Sequence, residues 1–311
     1  MFFIKILLLV LGSLWAAYLI VPSWFYDGVI ALIRMSAGLR LKEAKVDGHI
    51  MPYLEGGKGP ALVLLHGFGA NKDHWLKVAP KLAKRFHLYI PDLAGFGEAS
   101  RLTNASYGVE SQLGRLQIFL EQIGEKEVDI GGNSMGGYLA IMLAHKIPSQ
   151  VNSLWLLAPA GVSTAEPSDM FPSVSPPELS KADNPLVIET AEDFEALSRY
   201  CFHKIPMVPK KFRDVLLKRA IRDAEFNHKI FTELNLDRIT IEDTIVELPM
   251  PALVVWGDHD RVLHFSGMDV LKTKLANGTF VLMPDIGHLP MIEASSESAA
   301  DYISFRLKAN K

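Results

Sequence analysis

The sequence predicts an α/β fold: a mostly parallel central sheet with helices on both faces and an inserted helical cap. Three observations predict it. Short, continuous apolar runs of strand length recur along the chain, as in strands buried on both faces. Segments of helical period separate them, which implies crossover connections and a parallel sheet. The alternation stops between residues 162 and 248, where prolines and longer helical patterns replace it, and then resumes.

The first segment is apolar from Met1 to Val21 except for Lys5, and Pro22 closes it. A membrane-spanning helix needs about 20 such residues. Lys5 would suit a signal peptide, but Leu14-Trp15-Ala16 and Trp15-Ala16-Ala17 set large residues where a cleavage site needs small ones. An uncleaved anchor is therefore expected over a secreted, cleaved form. Trp15, Tyr18, Trp24, Phe25 and Tyr26 cluster at its exit, as interfacial aromatics do. Val29–Met35 follows as a short apolar helix suited to lie along a membrane. Residues 1–40 thus read as anchor and juxtamembrane helix. Lys5 flanks one side and Arg34, Arg40, Lys42 and Lys45 the other, so the side facing the cytoplasm stays open.

The core is expected over residues 41–161 and 249–311. Leu41–Val46 and His49–Leu54 flank Asp47-Gly48, a hairpin signal. Ala61–Leu65 is a buried strand, Asp73–Arg85 reads as a helix, and Leu88–Ile90 is a strand halted by Pro91. Glu110–Ile123 carries Leu113, Leu116, Phe119, Leu120 and Ile123 at helical spacing. Val128–Gly131, Gly136–His145 and Val151–Leu157 continue as strand, helix, strand. The cap, residues 162–248, holds the helical patterns Ala191–Phe202 and Pro209–Phe226. Ala252–Trp256 and Thr279–Met283 complete the sheet, and Ser296–Leu307 closes the chain.

Composition narrows the function. The 311 residues are 49% hydrophobic and 22% charged, an ordinary globular balance. The net charge of −3, with no basic block, argues against a nucleic-acid partner. One cysteine excludes an intrachain disulfide and a cysteine-rich zinc site. Oligomeric state is not legible.

Gly132-Asn133-Ser134-Met135-Gly136 matches G-x-S-x-G between a strand and a helix, the context that motif requires. The glycines remove side chains that would collide in a tight turn, and the turn lifts the Ser134 hydroxyl toward the helix N-terminus. Free N–H groups there can receive a developing oxyanion. A serine needs a base. Of ten histidines, His288 lies just after the final strand, where a loop can fold over the sheet edge. His66, His87 and His145 read as structural or surface residues, and His259 and His264 as bystanders. The base needs an acid. Asp258 and Asp260, after the penultimate strand, serve equally well on local grounds. The order serine, aspartate, histidine is the one this motif predicts. His66-Gly67-Phe68-Gly69 is placed to offer a second oxyanion N–H, from Phe68, beside that of Met135.

These segments resemble the α/β-hydrolase superfamily and, more narrowly, bacterial membrane-anchored lipases and the monoacylglycerol lipases of the α/β-hydrolase domain-containing 6 kind. The resemblance rests on residues 66–75, 91–98, 131–137, 254–260 and 287–293, and extends over about residues 48–308. It implies the α/β-hydrolase fold and an acid at the last residue of G-x-x-D, here Asp260. It implies a lipid ester substrate, a serine carboxylic-ester hydrolase acting on mono- or triacylglycerols, and no metal or organic cofactor. Asp92 and Glu293 match family positions and read as loop-stabilising. Met170, Phe171, Phe194, Tyr200, Phe202, Met207 and Phe212 offer apolar cap surface to an acyl chain, although most read equally as cap core. Two alternatives are a carbon–carbon hydrolase of aromatic ring-fission products, disfavoured by Gly69-Ala70-Asn71-Lys72, and a non-catalytic lipid-binding member of the fold.

Overall fold

The computed structural model describes residues 4–6, 12, 18–172, 184–236 and 239–309. Most of the expected anchor, Met1–Val21, lies outside the described residues. Among the described residues, no helix is long and apolar enough to cross a membrane. Helix α1 (Pro22–Ser36) begins well before the expected Val29, because proline in the first turn presets the helical φ. None of its residues is fully buried, and Trp24, Leu32 and Met35 are exposed.

The sheet has eight strands: β1 (Leu39–Val46), β2 (His49–Gly57), β3 (Ala61–Leu65), β4 (His87–Pro91), β5 (Val128–Asn133), β6 (Val151–Leu157), β7 (Ala252–Gly257) and β8 (Gly278–Met283). Their order is β1-β2-β4-β3-β5-β6-β7-β8. β1 and β2 form the expected hairpin, β2 runs antiparallel to β4, and every later pairing is parallel. Successive strand residues face opposite sides of the sheet. Val63, Ile130 and Leu156 therefore join one apolar layer, with α3 (Val109–Ile123) and α4 (Met135–Lys146). Leu62, Leu64, Trp155 and Leu157 join the other, with α2 (Ala79–Leu82) and residues of the last helix.

Between β6 and β7 come α5 (Ala191–Cys201), α6 (Lys210–Leu236) and α7 (Ile241–Thr244). The chain closes with α8 (Gly267–Lys272), α9 (Pro290–Glu293) and α10 (Ser295–Ala309). Threonine sets two of these starts: Thr190 caps α5 in a reciprocal capping box with Asp193, and Thr240 caps α7.

Two further expectations need correction. Asp73–Arg85 is not one helix. A 3-10 turn over Lys72–Trp75 is followed by the four-residue α2. Pro80 cannot donate to a preceding turn, so it restarts a helix but cannot continue one. The second is α6, which runs ten residues beyond Phe226. Asn227, His228, Ile230 and Phe231 in this extension are buried, and the Phe231 ring meets that of Phe68 at 5.6 Å. Tertiary packing, which no local period reveals, sustains that end.

One buried ion pair ties the last helix under the sheet. Arg306 Nε donates to Asp129 Oδ2 at 2.8 Å, while Ser153 Oγ donates to Asp129 Oδ1 at 2.9 Å. Burial pushes the Asp129 carboxyl above its ordinary range, against the opposing pull of Arg306. Tyr302 stacks on Trp155 one turn earlier, with ring centroids 4.7 Å apart. Removing one partner leaves a buried charge uncompensated. Arg306→Met is expected to cost about 3–5 kcal/mol in denaturant unfolding, and Asp129→Asn combined with Arg306→Met less than Arg306→Met alone.

Candidate active site

Ser134 sits at φ 53° and ψ −119°, in the turn between β5 and α4. A non-glycine residue at positive φ is uncommon and must be held there by its surroundings. Here a Cβ on Gly132 would fall 2.2 Å from the Gly136 carbonyl oxygen, and a Cβ on Gly136 would fall 2.3 Å from that of Leu65. Glycine at both positions is thus a steric requirement. The turn is pinned by Ser134 N–H donating to the Leu157 carbonyl at 3.0 Å. Tyr138 and Ala160 N–H groups each donate to the Ser134 carbonyl at 3.0 Å. Met135 opens α4, so its N–H has no intrahelical acceptor.

His288 lies in the loop between β8 and α9, buried to 4% exposure. Its Nδ1 is 2.7 Å from Asp260 Oδ2. A carboxylate only accepts, so in the neutral ring Nδ1 carries the proton and Nε2 keeps its lone pair. Asp260 Oδ1 accepts from the N–H groups of Val262 and Leu263, each at 2.9 Å. Asp258 instead accepts from His259 Nδ1 at 2.6 Å. The two aspartates that local sequence left equivalent therefore have different partners, and only Asp260 meets His288.

The His288 loop is held from three directions. Asn133 Nδ2 donates to the His288 carbonyl at 3.1 Å and to that of Leu157 at 3.0 Å. His288 N–H donates to the Cys201 carbonyl, at the end of α5, at 2.8 Å. Glu293 accepts from Gly287 N–H at 2.8 Å and from Lys204 N–H at 2.9 Å, which gives the expected loop-stabilising role a physical form. Sequence reasoning missed the Cys201 carbonyl, since a backbone acceptor carries no side-chain signal. It also passed over Asn133, although that residue stands inside the recognised motif.

Ser134, His288 and Phe68 line one cavity of about 750 Å³. Its lining includes apolar side chains, among them Leu186, Ile188, Phe194, Leu197, Phe202 and Met207, and charged ones, among them Arg34, Asp73, Glu98, Arg101, Arg219 and Asp223. Of the seven apolar residues expected to flank an acyl chain, Phe194, Phe202 and Met207 line the cavity. Met170 is buried, Tyr200 lies under the Arg261 guanidinium, and Phe212 packs with Tyr18, Phe25 and Tyr26 of the N-terminal region. That packing, with Arg219 pairing Asp27 at 2.7 Å, brings α1 to the cavity, where Tyr26, Asp27, Ile30 and Arg34 form part of the wall. Cys201 also lines the cavity, but burial pushes its thiol well above the ordinary range, which disfavours the thiolate.

The Phe68 loop is shaped by polar groups, of which Lys72, Asp92 and His66 are buried. Lys72 Nζ bridges Asp92 and Glu98, at 2.6 Å to each, and Asp92 also accepts from the N–H groups of Lys72 and Glu98. A Cβ on Gly97, which has φ +55°, would fall 2.5 Å from the Asp92 carboxylate. His66 is fully buried and its Nε2 accepts from Leu93 N–H at 3.0 Å, leaving Nδ1 to donate to the Gly67 carbonyl at 2.8 Å. Both ring nitrogens are engaged by backbone, so it serves the loop, as its sequence context suggests.

Comparison with known proteins adds to this geometry. Residues 60–295 match the family model described as alpha/beta hydrolase fold. The chain is 35% identical to Lipase 1 of Psychrobacter immobilis over 286 residues, covering 89% of this chain and 87% of that one. It is 30% identical to monoacylglycerol lipase abhd6-B of Xenopus laevis, covering 94% and 88%. A crystal structure described as a membrane phospholipase A, a novel bacterial virulence factor, superposes with a TM-score of 0.89 at 37% identity, covering all of both chains.

Burial lowers the His66 pKa to about 4, against the help of its bond to Gly67. The unfolded ring titrates near 6.5, so between those values the unfolded state binds the extra proton. Stability is complete above the unfolded value and falls as pH drops toward the folded one, by up to roughly 3 kcal/mol from this residue. Urea midpoints measured from pH 7.5 to 4 should fall across that window, and His66→Gln, which can still accept from Leu93 N–H, should flatten part of the fall.

Proposed function

We propose that this chain, which belongs to the alpha/beta hydrolase family and is an ester-hydrolysing enzyme, is a lipase that cleaves acyl esters of glycerol at a membrane surface. The observation that carries the reading is the His288–Asp260 pair, at 2.7 Å, behind a cavity that Ser134 and His288 share. In this reading Ser134 is the nucleophile, His288 the base and Asp260 the group that orients it. The N–H groups of Phe68 and Met135 receive the oxyanion.

The steps follow from the proton position. Ser134 Oγ attacks the acyl carbonyl carbon as its proton passes to His288 Nε2. The electron pair of the carbonyl moves onto oxygen, where the two N–H groups stabilise it. Collapse expels the glycerol oxygen, which takes the proton from His288, and leaves an acyl-serine. Water then attacks the acyl carbon and gives its proton to His288. Collapse returns that proton to Ser134 and releases the fatty acid. Asp260 stabilises the imidazolium throughout without itself being protonated.

The substrate class rests on the lipases among the relatives and on the cavity wall formed by Phe194, Phe202 and Met207, which suits an aliphatic chain. Residues 162–248 would act as the cap over a core of residues 41–161 and 249–311. Residues 1–40 would hold the chain at the bilayer, with α1 along its surface and Trp24, Leu32 and Met35 toward lipid. Anchoring there raises the local concentration of a water-insoluble substrate.

The test is direct. A fluorophosphonate should label the wild type and not Ser134→Ala, which should lose about 10⁴-fold or more in kcat on mono- and diacylglycerol emulsions. Asp260→Asn should lose about 10²–10⁴-fold and Asp258→Asn should stay near wild type. The reverse ranking of the two aspartates would overturn the assignment. Faster turnover of a vinylogous ring-fission diketone than of any acylglycerol would overturn the substrate class.

A further inference from the structure

Outside the cavity, three side chains converge where the end of the α5 segment meets two loops of the core. His203 follows α5, His259 lies in the loop after β7, and Asp285 lies in the loop after β8. One nitrogen of each imidazole and one oxygen of the carboxylate all fall within 4.8 Å of one another. The two rings have centroids 4.1 Å apart, and His203 Nε2 is 3.9 Å from Asp285 Oδ1. We propose that His203, His259 and Asp285 form a site for a borderline divalent transition metal such as Zn²⁺, which ties the α5 segment to the two loops that carry Asp260 and His288.

The donor set argues for that class of ion. Two imidazoles and one carboxylate suit zinc, nickel or copper and do not suit the all-oxygen preference of calcium or magnesium. Water would complete a tetrahedral shell. Bonds of ~2.0–2.2 Å place donors about 3.4 Å apart, so the side chains must close by roughly 1 Å. They are free to do so, because His203, His259 and Asp285 all retain solvent exposure.

A second observation concerns orientation. Asp258 Oδ1 accepts from His259 Nδ1 at 2.6 Å, which leaves the Nε2 lone pair outward. A carboxylate behind a ligating histidine fixes its tautomer and raises its basicity, the usual support of a metal-bound ring. Asp258 and Asp285 together also supply two negative charges against a divalent ion. The two core loops are already joined, since Asp258 N–H donates to the Met283 carbonyl and His259 N–H to that of Ile286. Asp285 is held at φ +58°, a conformation costly for a non-glycine residue. His259 and Asp285 are thus preset, and His203, whose side chain makes no hydrogen bond among the described residues, is the third ligand that would swing in.

The test uses untagged protein and Zn²⁺ as the probe. Calorimetric titration should show one saturable site, and zinc should raise the melting temperature where the same concentration of Ca²⁺ does not. His203→Ala and His259→Ala should each weaken that site by tenfold or more while their metal-free melting curves match the wild type. Zinc should slow amide hydrogen exchange across residues 201–205 in the wild type only. Equal zinc affinity in both histidine variants, no saturable binding, or binding without protection of residues 201–205 would each overturn the proposal.

Discussion

The absence of two side chains decides what this molecule can do. Gly132 and Gly136 approach backbone so closely that any Cβ would collide, and only their bareness lets the chain reverse from β5 into α4 with Ser134 at positive φ. Much of the site's geometry is downstream of that turn. It starts α4 beneath the serine, so unpaired N–H groups gather there. It aims the Asn133 amide at the carbonyl of His288, on a loop far along the chain. The strain is sustained by the sheet, because the turn's own N–H is spent on Leu157, in the neighbouring strand β6.

The same economy governs the polar groups. Around the cavity, two buried carboxylates have partners that also position backbone. Asp92 holds Lys72 and two N–H groups, and so sets the path of the loop that ends beside Phe68. Asp260 spends one oxygen on two backbone N–H groups and the other on His288, so the ring is oriented by a carboxylate that cannot itself turn. A carboxylate left unsatisfied at this depth would be neutralised by its own desolvation, and the imidazole would lose its fixed tautomer.

Much of this was legible in the sequence because it is local. The strands announce themselves as short apolar runs, and the turn at Ser134 announces itself through its two glycines. His66 reads as structural because it begins a loop at a strand end, and its two hydrogen bonds agree. What local reading leaves open is what depends on distance. Asp258 and Asp260 share one turn, and nothing within that turn says which carboxylate meets a ring 28 residues on. Pro80 broke a helix whose apolar spacing was otherwise sound. The end of α6 is helical because of what it packs against, and α1 became part of the cavity wall through Arg219 and Phe212, residues nearly two hundred positions away.

One contact constrains how such a molecule can diversify. The N–H of His288 is held by a carbonyl from the end of α5, a helix whose Phe194, Leu197 and Ser198 line the cavity. Selection for a different ligand shape would act on that stretch, yet any drift in its backbone would be felt by the imidazole. The shape of the cavity wall and the placement of the His288 ring are therefore coupled in this chain. A foreign segment grafted between β6 and β7 would have to reproduce one peptide oxygen as faithfully as any side chain, which limits what could be exchanged there by recombination.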